Sequence, residues 1–75
     1  MQVQFMRWCL DPKGRTPISV DPTRVDATEY FGPAFDHAGT GEKFPAATKI
    51  IMKNKQEYVV QGELEDVVAK LNKTN

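Results

Sequence analysis

Asp36 and His37 stand side by side in this chain, and they are the first residues to test for chemistry. An imidazole titrates near neutral pH, and an adjoining carboxylate tunes it for general acid–base work. Neighbours along a chain rarely face one another, however, and spacing sets no serine or cysteine nucleophile beside this pair. It reads as a solvated loop, and the chain is read as no enzyme, with no catalytic residue expected. A metal centre needs several ligands, and a single histidine with the single cysteine, Cys9, builds no structural zinc site. Thr40-Gly41-Glu42-Lys43 matches the linker between zinc fingers, but the flanking ligand pairs are missing. Gly39 to Lys43 also has the residue types of a phosphate loop. It lacks that motif's glycine spacing, and it does not lie between a strand and a helix. No cofactor follows from any of these segments.

Lys49, Lys53 and Lys55 form the remaining cluster, with Tyr58 close behind. Lysines beside an aromatic ring contact phosphate and base in single-strand binders. The competing reading is a solvated sheet face whose lysines discourage edge pairing. Ten basic and ten acidic side chains give zero formal charge. Non-specific nucleic-acid binding draws on a large positive field, so nucleic acid is the alternative partner and not the leading one.

The elements that would carry these residues fit one domain, residues 1–75. A core this small supplies roughly 3–5 kcal/mol of net stability, so a partner subunit is a natural supplement. A lone cysteine closes no disulfide within the monomer and fits a reducing compartment. The opening Met1-Gln2-Val3-Gln4 has no basic segment followed by an apolar run, and Ile50-Ile51-Met52 is the longest aliphatic stretch. Neither a secretory signal nor a membrane span is expected, and the default location is the cytoplasm.

Residues 3–10 read as a first strand, apolar on both faces: Val3, Phe5 and Cys9 in one row, Met6, Trp8 and Leu10 in the other, with Arg7 as an interruption. Asp11-Pro12-Lys13-Gly14 reads as a turn, with glycine accepting positive φ at its end. Residues 15–20 follow as a strand that Pro17 either places at an edge or makes start late. After Asp21-Pro22, residues 24–31 alternate as a third strand, in which Glu29 interrupts the apolar row as Arg7 does in the first; a cross-strand pair of the two is an alternative and not the leading expectation. Residues 32–47 are rich in glycine and proline, hold Phe35 and Phe44, and read as a long, mobile loop insertion. Residues 49–53 and 57–61 read as two strands about Asn54-Lys55-Gln56, with Asn54 in the left-handed region. In the simplest register Tyr58 and Val60 face the same side as Ile50 and Met52. Leu64, Val67, Val68 and Leu71 mark one face of a helix, with Gly62 as N-cap and charges that favour the helix dipole. The whole predicts an α+β fold: an antiparallel β-meander of about five strands closed by one C-terminal helix, with a small curled barrel as the alternative closure.

The segment from Thr48 to Gln61, followed by Leu64-Glu65-Asp66-Val67, resembles the second half of FlbD-type small flagellar proteins, also called swarming-motility proteins. Val20-Asp21-Pro22-Thr23-Arg24-Val25, with Glu29 after it, is similar to that family's Asn-Pro turn and following strand. Lys55 replaces the family's turn glycine, Glu63 stands where a capping serine is usual, and residues 32–47 are longer than the family's connection. The resemblance implies a fold of strands and closing helix and brings no catalytic residue with it. A similar strand–strand–helix pattern occurs in LytTR-type DNA-binding domains, which is a second support for the nucleic-acid alternative.

The functional expectation is a non-catalytic protein-interaction module, with a protein partner or a homodimer. A single helix covers one face of a sheet, so Phe5 or Trp8 is expected to face outward. Phe5, Trp8, Phe35 and Phe44 are the candidate contact residues.

Overall fold

The computed structural model describes residues 2–73. Among these, seven strands and one helix follow in order: β1 (Val3–Met6), β2 (Pro17–Val20), β3 (Val25–Gly32), β4 (Phe35–Asp36), β5 (Lys43–Phe44), β6 (Ala47–Met52), β7 (Glu57–Gln61) and α1 (Leu64–Asn72). The α+β class, the antiparallel pairing and the single C-terminal helix agree with the expectation. The meander is not one sheet, however. β1 pairs with β2, β3–β6–β7 form a second sheet, and β4 pairs with β5. The curled barrel does not form, since no ladder joins β2 to β3.

Arg7 is where the first sheet meets the second. Its N–H donates to the Thr16 carbonyl at 2.9 Å, and the next amide, that of Trp8, donates to the Val59 carbonyl at 2.9 Å. A single bridge, Arg7 opposite Val60, marks the junction. The chain therefore leaves β2 for β7 at this point, which is why β1 stops at Met6 and does not run to residue 10. The alternative of an Arg7–Glu29 pair is not realised among the described residues, because β3 lies beyond β6, with Glu29 opposite Lys49.

Both Asp-Pro dipeptides build the same turn. Asp11 Oδ1 accepts from the Lys13 amide at 3.0 Å, and Asp21 Oδ1 accepts from the Thr23 amide at 3.0 Å. Each opens a short 3₁₀ turn with proline at its start, where the missing N–H costs nothing. The Thr23 hydroxyl adds a bond of 2.7 Å to Asp21. That hydroxyl first, and the Thr23 amide second, hold the Asp21 carboxyl below its ordinary value of 3.8. Gly14 is needed here for a reason other than the expected positive φ. A Cβ at this position would lie 2.5 Å from Cys9 Sγ, so glycine permits a close approach of the turn to Cys9. At the β6–β7 turn the left-handed residue is Lys55, with φ of 72°, in place of the expected Asn54. Asn54 Oδ1 instead accepts from the Gln56 amide at 3.0 Å, which offsets part of the roughly 1–2 kcal/mol that a left-handed lysine costs.

Ile50 lies opposite Tyr58 and Thr48 opposite Val60, so the expected shared face of β6 and β7 is present. That face meets the helix stripe: Val67 and Leu71 are buried, while Leu64 and Val68 are half-buried. Val3, Phe5, Val20, Ile50 and Val60 complete this core with Val67 and Leu71. Ile50 and Val60 are wholly enclosed, and each such side chain contributes about 1.5–3 kcal/mol. The N-cap is Glu63 in place of Gly62, and its side chain makes no capping bond. Gly62 has φ of 129°; its amide donates to the Ala46 carbonyl at 2.8 Å, and its carbonyl accepts from the buried Thr48 hydroxyl at 3.0 Å. That geometry ties the start of the helix to β6.

Candidate interaction surface

Residues 32–47 carry regular structure of their own. Phe35 lies opposite Phe44 and Asp36 opposite Lys43 in a short hairpin. The His37 amide donates to the Glu42 carbonyl at 2.8 Å, and the Gly41 amide to the His37 carbonyl at 2.8 Å. Gly41 takes φ of 70° to complete the turn, a conformation that glycine adopts without strain.

The hairpin is held by rings. Phe35 stacks on Phe44 with centroids 4.9 Å apart, and Phe44 in turn lies 6.1 Å from Trp8. Trp8 continues the chain of contacts to Phe31 at 5.7 Å. Tilted pairs at such distances contribute about 0.5–1.5 kcal/mol beyond their area. Arg15 locks the arrangement. Its guanidinium sits 4.8 Å over the Phe44 ring and donates to Glu42 at 3.0 Å. It also donates to the carbonyls of Cys9 at 2.8 Å and Leu10 at 3.0 Å. One side chain thus joins the β1–β2 connection to the hairpin, and β2 itself starts only at Pro17, the late start that the proline offered. One donor stays unmatched: Trp8 Nε1 is buried with no acceptor among the described residues, at a cost of roughly 1–3 kcal/mol.

The four aromatic candidates are divided by this geometry. Phe5 belongs to the helix-side core, and Phe44 is the centre of the ring cluster; each is 5% exposed. Trp8 is half-buried against Phe31 and Phe44. The expectation that the first strand presents Phe5 or Trp8 as open surface is therefore corrected: the core takes one ring and the hairpin's Phe44 packs against the other. Phe35 remains 39% exposed. Two exposed rings were not singled out: Phe31, 48% exposed, which joins the cluster through Trp8, and Tyr30, 61% exposed, which borders the helix start. Their signal was available as two adjacent aromatics at the end of a strand, on opposite faces, so that no single layer could bury both.

Asp36 and His37 are exposed, and His37 Nδ1 lies 3.4 Å from Thr40 Oγ1. Among the described residues no three potential ligands gather around a metal position. The three lysines are placed apart in role. Lys49 Nζ pairs with Glu57 at 3.4 Å, while Lys53 and Lys55 sit exposed at the turn. Lys53 borders a polar cavity of 670 Å³ with Arg24, Asp21 and Tyr58, and Lys49 is not among its lining residues. No described helix is long and apolar enough to cross a membrane. Comparison with protein-family models, with curated proteins and with solved structures finds no match for this chain.

Proposed function

We propose that this chain is a non-catalytic protein-binding module of the cytoplasm whose working surface is the patch of Phe31 and Phe35 on the aromatic cluster. One observation carries the reading. Five large apolar side chains stand exposed among the described residues, and two of them, Phe31 and Phe35, belong to the one ring cluster built on Trp8 and Phe44. Exposed aromatics concentrated in this way are the composition of binding hot spots. The surface is also well supported, since Phe35 and Phe31 rest on Phe44 and Trp8. The FlbD-type resemblance belongs to the same proposal as a statement about fold, and it leaves the pathway open to experiment.

The test is site-specific photo-crosslinking in the native cell. A benzophenone side chain at position 31 should give one discrete protein adduct, and the same group at exposed Lys13 should not. Equal, diffuse labelling from both positions would remove the surface from consideration. An adduct of twice the chain's own mass would identify a homodimer as the assembly.

A further inference from the structure

The β3–β6–β7 sheet ends on β3, an eight-residue strand whose outer side forms no ladder. Another edge strand, β2, is short and opens with Pro17, so it is guarded against strand addition. β3 contains neither proline nor lysine. Its register against β6 runs unbroken from Ala27 to Tyr30 between two irregularities, which leaves a regular stretch at the centre of the edge.

α1 packs alongside this edge and turns it into one wall of a groove. A cavity of 240 Å³ lies between Val25–Thr28 on the strand side and Val68 and Leu71 on the helix. A second, of 390 Å³, lies between Tyr30 and the helix start at Leu64, floored by Ala34 and Ala46. Thr28 and Tyr30 are alternate residues of one strand, and Leu64 and Val68 are one helical turn apart, so the two cavities follow each other along the same groove. An extended chain laid against β3 would drop alternate side chains into them, about 7 Å apart.

Charge selects the occupant. Asp26 and Glu29 lie on the strand, and Glu63 and Glu65 line the cavity at the helix start. All four are exposed, and no ion pair among the described residues engages them. Lys49, which faces Glu29 in register, is paired with Glu57. Lys70 of the helix donates to the Gln4 carbonyl and lies over the Phe5 ring. The helix N-terminus carries about half a positive charge, which the carboxylates there outweigh. A second copy of β3 holds two carboxylates and no lysine or arginine, so it would add like charge at this edge and neutralise none.

We infer that the outer edge of β3, with the groove beside α1, takes an extended segment of a partner protein as an added strand, and that this segment carries lysine or arginine beside alternating apolar residues. Main-chain hydrogen bonds supply the affinity in this mode of recognition, and the alternate pockets with the carboxylates supply the choice of sequence. The inference rests on the protein-binding reading above and names the partner's chemistry.

The probe is a library of random linear peptides selected on the intact protein, with the winners mapped by amide chemical shifts. Selected peptides should be basic, with branched apolar residues at alternate positions, and should perturb residues 25–32 and 63–72. N-methylation of alternate peptide amides should weaken binding by about tenfold or more, since it blocks the ladder. Glu29→Lys and Glu63→Lys, both at exposed positions, should weaken it several-fold without unfolding the protein. Selection that yields no binder, perturbation centred elsewhere, or indifference to N-methylation would overturn the inference. Concentration-dependent shifts of β3 without peptide would overturn it too, and would name a second copy as the occupant. A crosslink at position 31 with no peptide in the groove would leave the protein-binding module standing and remove strand addition alone.

Discussion

The molecule has two apolar regions, and they are built on different terms. The helix-side core draws aliphatic residues from β1, β2, β6, β7 and α1 and seals them almost completely. The aromatic cluster hangs on a two-residue ladder and keeps Phe31 and Phe35 in contact with solvent. In the core, long ladders and the helix satisfy the backbone, and packing then does the rest. In the cluster, one arginine supplies much of the connection, and one tryptophan donor stays unsatisfied. The first region is made for stability. The second is stable enough to hold its rings in place and leaves their faces available.

The largest effect should come from the core. Leu71→Ala is expected to destabilise the fold by roughly 2–5 kcal/mol in chemical denaturation, the usual range for a buried leucine. An unchanged midpoint would make the two regions equivalent and the contrast empty. Phe44→Ala should act more locally, costing about 1–3 kcal/mol because its neighbours Trp8 and Phe35 are already partly solvated. Backbone order parameters of residues 35–44 are the sharper readout. The packed hairpin predicts values near ~0.85, as in the strands, whereas a mobile loop would fall below ~0.6. In the variant these residues should loosen while β6 and α1 keep their shifts.

Gly14→Ala tests the turn that carries Arg15. The new methyl meets Cys9 Sγ at 2.5 Å, and overpacking of this kind costs typically ~1–3 kcal/mol. Thermal unfolding at matched conditions reports it, and no change would show that the turn gives way freely. Glu42→Gln should matter less. The Arg15–Glu42 pair is partly exposed, and such pairs contribute about 0.2–1 kcal/mol, falling with salt. An effect equal in high and low salt would mean that the pair acts through shape and not charge.

The smallest effect is electrostatic and lies outside both regions. Asp21 is held below its ordinary 3.8 in the folded chain, by the Thr23 hydroxyl above all. A carboxyl lowered on folding contributes stability above its unfolded value, and that contribution is lost as pH falls through the lower, folded one. Thr23→Val keeps the amide bond and removes the hydroxyl, so the carboxyl titration followed by NMR should move back toward 3.8. A midpoint that stays put would assign the shift to the amide alone.

The core was legible because each of its elements has a period. Leu64, Val67, Val68 and Leu71 repeat as a helix, and Tyr58 with Val60 alternates as a strand facing Ile50. The cluster was not, because Trp8, Phe31, Phe35 and Phe44 come from four separate stretches, and no window of sequence contains a pattern among them. Phe35 and Phe44 were visible only as aromatics in a run of glycine and proline, which reads equally as a loop. Arg7 is instructive in another way. It looked like a flaw in an apolar row, and it is the residue at which the chain changes partners. The β3–α1 groove was hidden for the same reason as the cluster, since its walls are about 40 residues apart in the chain and no local rule links them.

The single bridge between Arg7 and Val60 also bears on how the protein is made. The β1–β2 hairpin is translated early, yet Val60, Val67 and Leu71, against which Val3, Phe5 and Val20 pack, come last. At ~5–20 residues per second, the hairpin waits on the order of 2–10 s for its other half. A two-stranded hairpin alone is marginal in water, so its apolar face is open to the nascent-chain environment for that interval. A synonymous change that slows the ribosome between Val60 and Leu71 would lengthen the exposure, and with it the demand on chaperones, without altering one atom of the folded molecule.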